Sequence, residues 1–172
     1  LRRLRHRPHL PRIGKTHMVL MKTHATPAVI LNRVKYPHNL AAAIRACSCF
    51  AVHTLLWTGS RFEFKDGERL PREERMKGYA DVQVHATERP LDRFAPGVTP
   101  VCVELVPGAQ PLQEFEHPER AIYLLGPEDG HVSQAFRGLC HRFVYIPSNH
   151  CLNLSAALNV VLYDRVVKLG QH

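Results

Sequence analysis

Three short stretches gather side chains that could do polar chemistry. The first, Tyr36-Pro37-His38-Asn39-Leu40-Ala41-Ala42-Ala43-Ile44-Arg45, sets an amide and a guanidinium six residues apart. Arg45 is the only charge in a small, apolar helical pattern, and its five donors need partners wherever they are buried. Two readings are open: an Asn39 helix cap with an arginine paired to a carboxylate, or an arginine aimed at a phosphate. The second, Gly126-Pro127-Glu128-Asp129-Gly130-His131, directly follows an apolar run. Glycines and a proline around a carboxylate make a tight loop whose backbone can approach a ligand. It matches neither G-x-G-x-x-G nor a phosphate loop, so nicotinamide dinucleotide and ATP have little support. The third, Ile146-Pro147-Ser148-Asn149-His150-Cys151-Leu152-Asn153-Leu154-Ser155, lines up more helix-capping residue types than one cap requires.

The elements around these stretches alternate. Strands are predicted at Ala28–Val34, Thr54–Thr58, Val82–Ala86, Val101–Val106, Ile122–Leu125 and Phe143–Ile146. Helices are predicted at Leu40–Phe50, Leu91–Phe94, Ser133–Leu139 and from about Leu154 to Lys168. Residues 60–80 read as polar and irregular, with one helical turn near Glu73. This alternation predicts one α/β domain with a mostly parallel sheet flanked by helices. Ligands in such sheets bind beyond the carboxyl ends of the strands, where all three stretches fall.

Composition narrows the partners. The chain has 172 residues and a net charge of +8. Residues 1–62 carry 11 Lys/Arg and no acid, whereas the remaining 110 carry 12 Lys/Arg against 15 Asp/Glu. So one-sided a field favours a polyanion, nucleic acid first. Apolar runs such as Leu152–Tyr163 are too short and too interrupted to span a membrane. Five cysteines in mostly apolar surroundings fit reduced thiols in a cytoplasmic protein better than a disulfide framework. Cys47 and Cys49 would point to opposite sides of a helix, and the twelve histidines form no ligand motif, so no metal is expected. Residues 1–24 read as a basic N-terminal extension, mobile and RNA-contacting, ahead of a domain over 25–172.

Taken in order, the three stretches resemble the SpoU/TrmH-type ribose 2′-O-methyltransferases of the SPOUT superfamily. Asn39 with Arg45, then Gly126-Pro127-Glu128-Asp129-Gly130, then Ile146-Pro147 with Cys151-Leu152-Asn153-Leu154-Ser155 match that family's three motifs over roughly residues 27–168. The chain is most similar to single-domain members acting on the tRNA wobble nucleotide. The resemblance implies a C-terminal deep trefoil knot, S-adenosylmethionine as methyl donor, an RNA substrate (tRNA ahead of rRNA) and a homodimer whose site lies at the subunit interface. It implies cofactor contacts at Glu104, Gly126, Ile146, Cys151 and Leu154. Arg45 would be catalytic, with Asn39, Glu128 and Asn153 positioning it and the substrate. Cys151 stands where the family usually has serine, and His38 and Ala41 where glycines are common. The alternatives are a base-methylating relative, a catalytically silent RNA-binding protein that keeps the fold, and a flavodoxin-like nucleotide binder, which would lack its phosphate loop.

Overall fold

A computed structural model describes residues 24–59, 61–62 and 81–170. The expected basic extension, save His24, and the helical turn near Glu73 lie outside the described residues. In chain order the elements are β1 (Ala28–Asn32), α1 (Pro37–Cys49), β2 (Thr54–Thr58), β3 (Gln83–Ala86), β4 (Thr99–Val103), β5 (Gln110–Pro111), β6 (Ala121–Leu125), α2 (Gln134–Arg137), β7 (Arg142–Tyr145) and α3 (Leu154–Leu169). Short 3₁₀ turns occupy Pro90–Arg93 and Leu112–Glu114. All pairings are parallel, in the order β3-β2-β1-β6-β4-β7-β5. The order is not sequential: β6 inserts between β1 and β4, and β7 between β4 and β5.

Both faces of the sheet are covered, which is why its central strands read as unbroken apolar runs. Val29, Leu31, Leu55, Trp57, Val101, Tyr123, Leu125 and Val144 point to one face. There α1 lays Leu40, Ala43, Ile44 and Cys47 beside Leu158, Val161 and Leu162 of α3. Ala28, Ile30, Leu56, Cys102, Ile122 and Leu124 point to the other, under Val132, Phe136, Cys140 and Phe143. The alanines of α1 let the two helices and the sheet approach closely. Gly170, left-handed at φ 63, stops α3.

Several boundaries differ from the sequence expectation for local reasons. Helix α1 starts at Pro37, three residues early, because proline's fixed φ suits a first helical position and its missing N–H is not needed there. The residue flanking the helix is therefore Tyr36, and Asn39 is not the cap: it lies inside the first turn, buried at 3% exposure. Strand β1 stops at Asn32 because Arg33 turns left-handed, at φ 58. Strand β4 runs Thr99–Val103 rather than to Val106, and the helix expected at Ser133–Leu139 is one turn at Gln134–Arg137. The helix expected at Leu91–Phe94 is the 3₁₀ turn Pro90–Arg93. The two-residue β5 has no counterpart among the expected strands.

A second polar group fixes α3 from its other end. Arg165, at 2% exposure, donates to the carbonyls of Pro118 (2.7 Å) and Glu119 (2.8 Å). The Tyr123 hydroxyl lies 2.6 Å from His117 Nδ1, and His117 Nε2 lies 2.8 Å from Asp164. Burial holds the His117 pKa below its ordinary value although Asp164 pulls the other way. A neutral ring that accepts from Tyr123 and donates to Asp164 satisfies both partners.

Candidate active site

The carboxyl ends of β1, β6, β4 and β7 are neighbours, and the loops leaving them meet. Glu128, in the loop after β6, is the hub. Its Oε2 accepts from the Lys35 N–H at 2.8 Å, and its Oε1 from the Tyr36 N–H at 3.4 Å and from Asn39 Nδ2 at 2.5 Å. Asn39 Oδ1 in turn accepts from Asn153 Nδ2 at 3.1 Å. Asn153 caps α3, its Oδ1 accepting from the Ser155 N–H at 3.0 Å and the Ser155 hydroxyl at 2.6 Å. Donors thus run one way, from Ser155 through Asn153 and Asn39 to the Glu128 carboxylate. Such a chain is polarised toward its charged end and rigid when every member is satisfied. It clamps together segments 89 and 114 residues apart in sequence.

Arg45 is exposed on α1. Six helical residues place it about 9 Å along the axis from Asn39 and about 120° round it. The two side chains therefore do not share a face of the helix.

The residues expected to hold a cofactor come from three adjacent strand ends. Leu125, Val103 and Val144 lie in one row of the sheet, with Gly126 and Glu104 next along their chains and Ile146 one beyond Tyr145. The Glu104 N–H is already bonded to the Val144 carbonyl at 2.9 Å. Its side chain is 10% exposed and pairs with the exposed His131 from the loop after β6. A Cβ at Gly126 would sit 2.8 Å from the Val132 nitrogen, so only glycine lets that loop fold back on the strand end. Ile146 and Leu154 (6% exposed) present apolar surface, whereas Cys151 is an exposed free thiol. The intervening loop is tied by the Ser148 hydroxyl, which lies 2.8 Å from the His150 carbonyl and 3.3 Å from that of Ile146.

Sequence reasoning missed four participants. Asn32 is buried at the end of β1, and its Oδ1 accepts from the Ser133 N–H at 3.1 Å, anchoring the start of α2. A lone amide ending an apolar strand was the available signal. Asp129, beside the hub, takes Arg61 at 2.6 Å and Lys35 at 3.1 Å. Hydrogen bonds from Arg61 first, then Lys35, pull its carboxyl down to about 2. Nothing local in the sequence links those three. Among the described residues no group of three or more His, Cys, Asp or Glu could hold a metal ion, and no helix is long and apolar enough to cross a membrane.

Comparison with known proteins places this fold. The model of the SpoU rRNA Methylase family matches residues 26–163. No curated protein matches. Among solved structures, the A. aeolicus TrmH/SpoU tRNA modifying enzyme superposes with a TM-score of 0.71 at 18% identity, over 88% of this chain and 79% of that one. A protein solved to explain the 2-OH methylation of C/U34 on tRNA gives 0.67 at 19% identity, over 84% and 97%. The SpoU methyltransferase AviRb from Streptomyces viridochromogenes, in complex with AdoMet, gives 0.69 at 21%, over 88% of this chain but 61% of its own. The parallel seven-stranded sheet is thus that of the SpoU methyltransferases, and the chain belongs to that family of RNA methyltransferases, which use S-adenosylmethionine.

Proposed function

We propose that this protein transfers a methyl group from S-adenosylmethionine to a ribose 2′-hydroxyl of RNA, with tRNA ahead of rRNA as the substrate, in the cytoplasm. The observation that carries this reading is the Glu128–Asn39–Asn153 hydrogen-bond chain, which joins all three motif loops at the strand ends. The strand-end residues suit the cofactor's chemistry: a nearly buried Glu104 carboxylate complements a cationic ligand, and Ile146 and Leu154 offer apolar contact. Gly126 and Cys151 would complete the cofactor loops. When bound, the sulfonium supplies an activated methyl group.

The chain's own task is alignment, because displacement at a methyl carbon depends most on the reacting atoms being in line. Both Glu128 oxygens are already occupied by protein donors, so Glu128 acts by fixing Asn39 rather than as a free base. Arg45 carries a planar fork of donors, and an exposed guanidinium on α1 suits an RNA phosphate. It would clamp the nucleotide's phosphate, which can assist the hydroxyl proton's departure to water as the methyl carbon bonds to the 2′-oxygen and parts from sulfur.

A second copy would complete the site. Val160 (39%), Tyr163 (61%) and Val167 (49%) leave an apolar stripe exposed along α3, the helix that Asn153 caps. Placing Tyr163→Glu in that stripe is expected to yield monomers by sedimentation. Calorimetric titration with S-adenosylmethionine tests the cofactor assignment. About one ligand per subunit is expected, and folded protein that binds neither it nor S-adenosylhomocysteine would leave the RNA-binding alternative standing.

A further inference from the structure

The hub holds a pair of aromatic rings at its outer rim. Tyr36 and His38 flank Pro37 and are both exposed, yet their rings stack on each other at 5.3 Å between centroids and 16° between planes. Tyr36 lies in extended backbone, φ −116 and ψ 130, with its N–H on Glu128. Lys35 places Nζ 5.1 Å from the Tyr36 ring centre while paired to Asp129, which also holds Arg61. Tyr36 keeps 41% of its surface in water. Flat rings left in water and braced by their neighbours are an ordered shelf whose lost entropy no core contact compensates. A flanking pair of cations brings positive charge to the same rim.

Resting on the ribose-methyltransferase reading, we propose that the Tyr36–His38 pair is a stacking shelf for an unpaired nucleobase of the substrate RNA, beside the nucleotide being methylated. Stacking on aromatic side chains is sequence-tolerant and requires a base face free of a duplex neighbour. Two rings already parallel need no reordering to accept a third. Lys35 and Arg61 would track the adjoining backbone while Asp129 keeps them extended. The shelf therefore selects single-stranded loops over paired stems, and it acts on RNA binding, not on methyl transfer.

The test compares wild type, Tyr36→Phe and Tyr36→Ala for binding to an unmodified tRNA anticodon stem–loop and to a fully paired duplex of the same loop sequence. Substitution of the side chain leaves the Tyr36 backbone bond to Glu128 in place. Wild type and Tyr36→Phe are expected to bind the stem–loop alike and to prefer it over the duplex. Tyr36→Ala should bind the stem–loop about 5- to 150-fold more weakly, the range for loss of one stacked base. Its KM should rise with little change in kcat, and its S-adenosylhomocysteine affinity should not move. Equal binding by wild type and Tyr36→Ala overturns the shelf and leaves the methyltransferase reading intact. So does a Tyr36→Ala protein of altered mass by sedimentation, which would make the rings a subunit contact. Wild type that binds S-adenosylmethionine but neither these RNAs nor bulk tRNA overturns both.

Discussion

Replacing Glu128 by glutamine preserves shape almost perfectly and is nonetheless expected to be damaging. Both carboxylate oxygens accept from N–H donors: Oε2 from Lys35, and Oε1 from Asn39 and Tyr36. A glutamine keeps one acceptor, so its NH₂ must face either the Lys35 N–H or the Asn39 amide whichever way it turns. One charge-assisted bond worth about 1.5–3 kcal/mol is then lost, and the half-buried setting argues for the lower end. A loss of about 2 kcal/mol corresponds to about 4–8 °C in Tm for a chain of this size. Urea unfolding followed by circular dichroism measures it, with an unchanged m-value expected. Glu128→Ala should cost about the same, because it removes every bond but introduces no opposed donors. Methyl transfer should fall in both, since Asn39 loses its anchor. A Glu128→Gln protein within about 0.5 kcal/mol of the parent would show that the carboxylate does not accept on both sides, and the hub would have to be redrawn.

Other substitutions separate the parts of the site. Arg45→Ala should abolish methylation while leaving calorimetric affinity for S-adenosylmethionine within a few-fold, because Arg45 is exposed on α1 and none of the expected cofactor contacts comes from that helix; full activity would remove Arg45 from the chemistry. Gly126→Ala drives a Cβ against the Val132 nitrogen, which the flanking loop backbone cannot avoid cheaply. A cost of about 1–3 kcal/mol in Tm measurements and weaker cofactor binding should follow. Burial lowers the His117 pKa, so the unfolded chain takes up that proton first. Its share of stability is present above the unfolded value near about 6.5 and is lost as pH falls below it. Urea midpoints should therefore drop less between about pH 7.5 and 5.5 in His117→Gln than in wild type.

What the sequence disclosed, and what it concealed, follows from how local each signal is. The strands Thr54–Thr58 and Ala121–Leu125 announce themselves as apolar runs because the sheet is covered on both faces. The motif residues were legible as types in order, since a tight loop needs glycine and proline and a helix start needs a cap. Asn39 was misplaced because two helix-start signals compete there, and proline at Pro37 wins over an amide two residues later. That displacement is what frees the Asn39 side chain to bond across to Glu128 and Asn153. The strand order could not be read, because insertion of β6 and β7 between earlier strands is a property of the whole chain path. Asp129, Lys35 and Arg61 escaped notice for the same reason: their pairing is a consequence of which strand ends become neighbours.

Ribose methylation of RNA is open to a direct test by mass spectrometry of nucleosides. Unmodified tRNA transcripts and bulk RNA are incubated with the protein and S-adenosylmethionine bearing a deuterated methyl group, then digested. Label is expected on 2′-O-methylated nucleosides from tRNA, and none when Arg45→Ala replaces the wild type. Label confined to a base, or no label from protein that binds the cofactor and RNA, would contradict it.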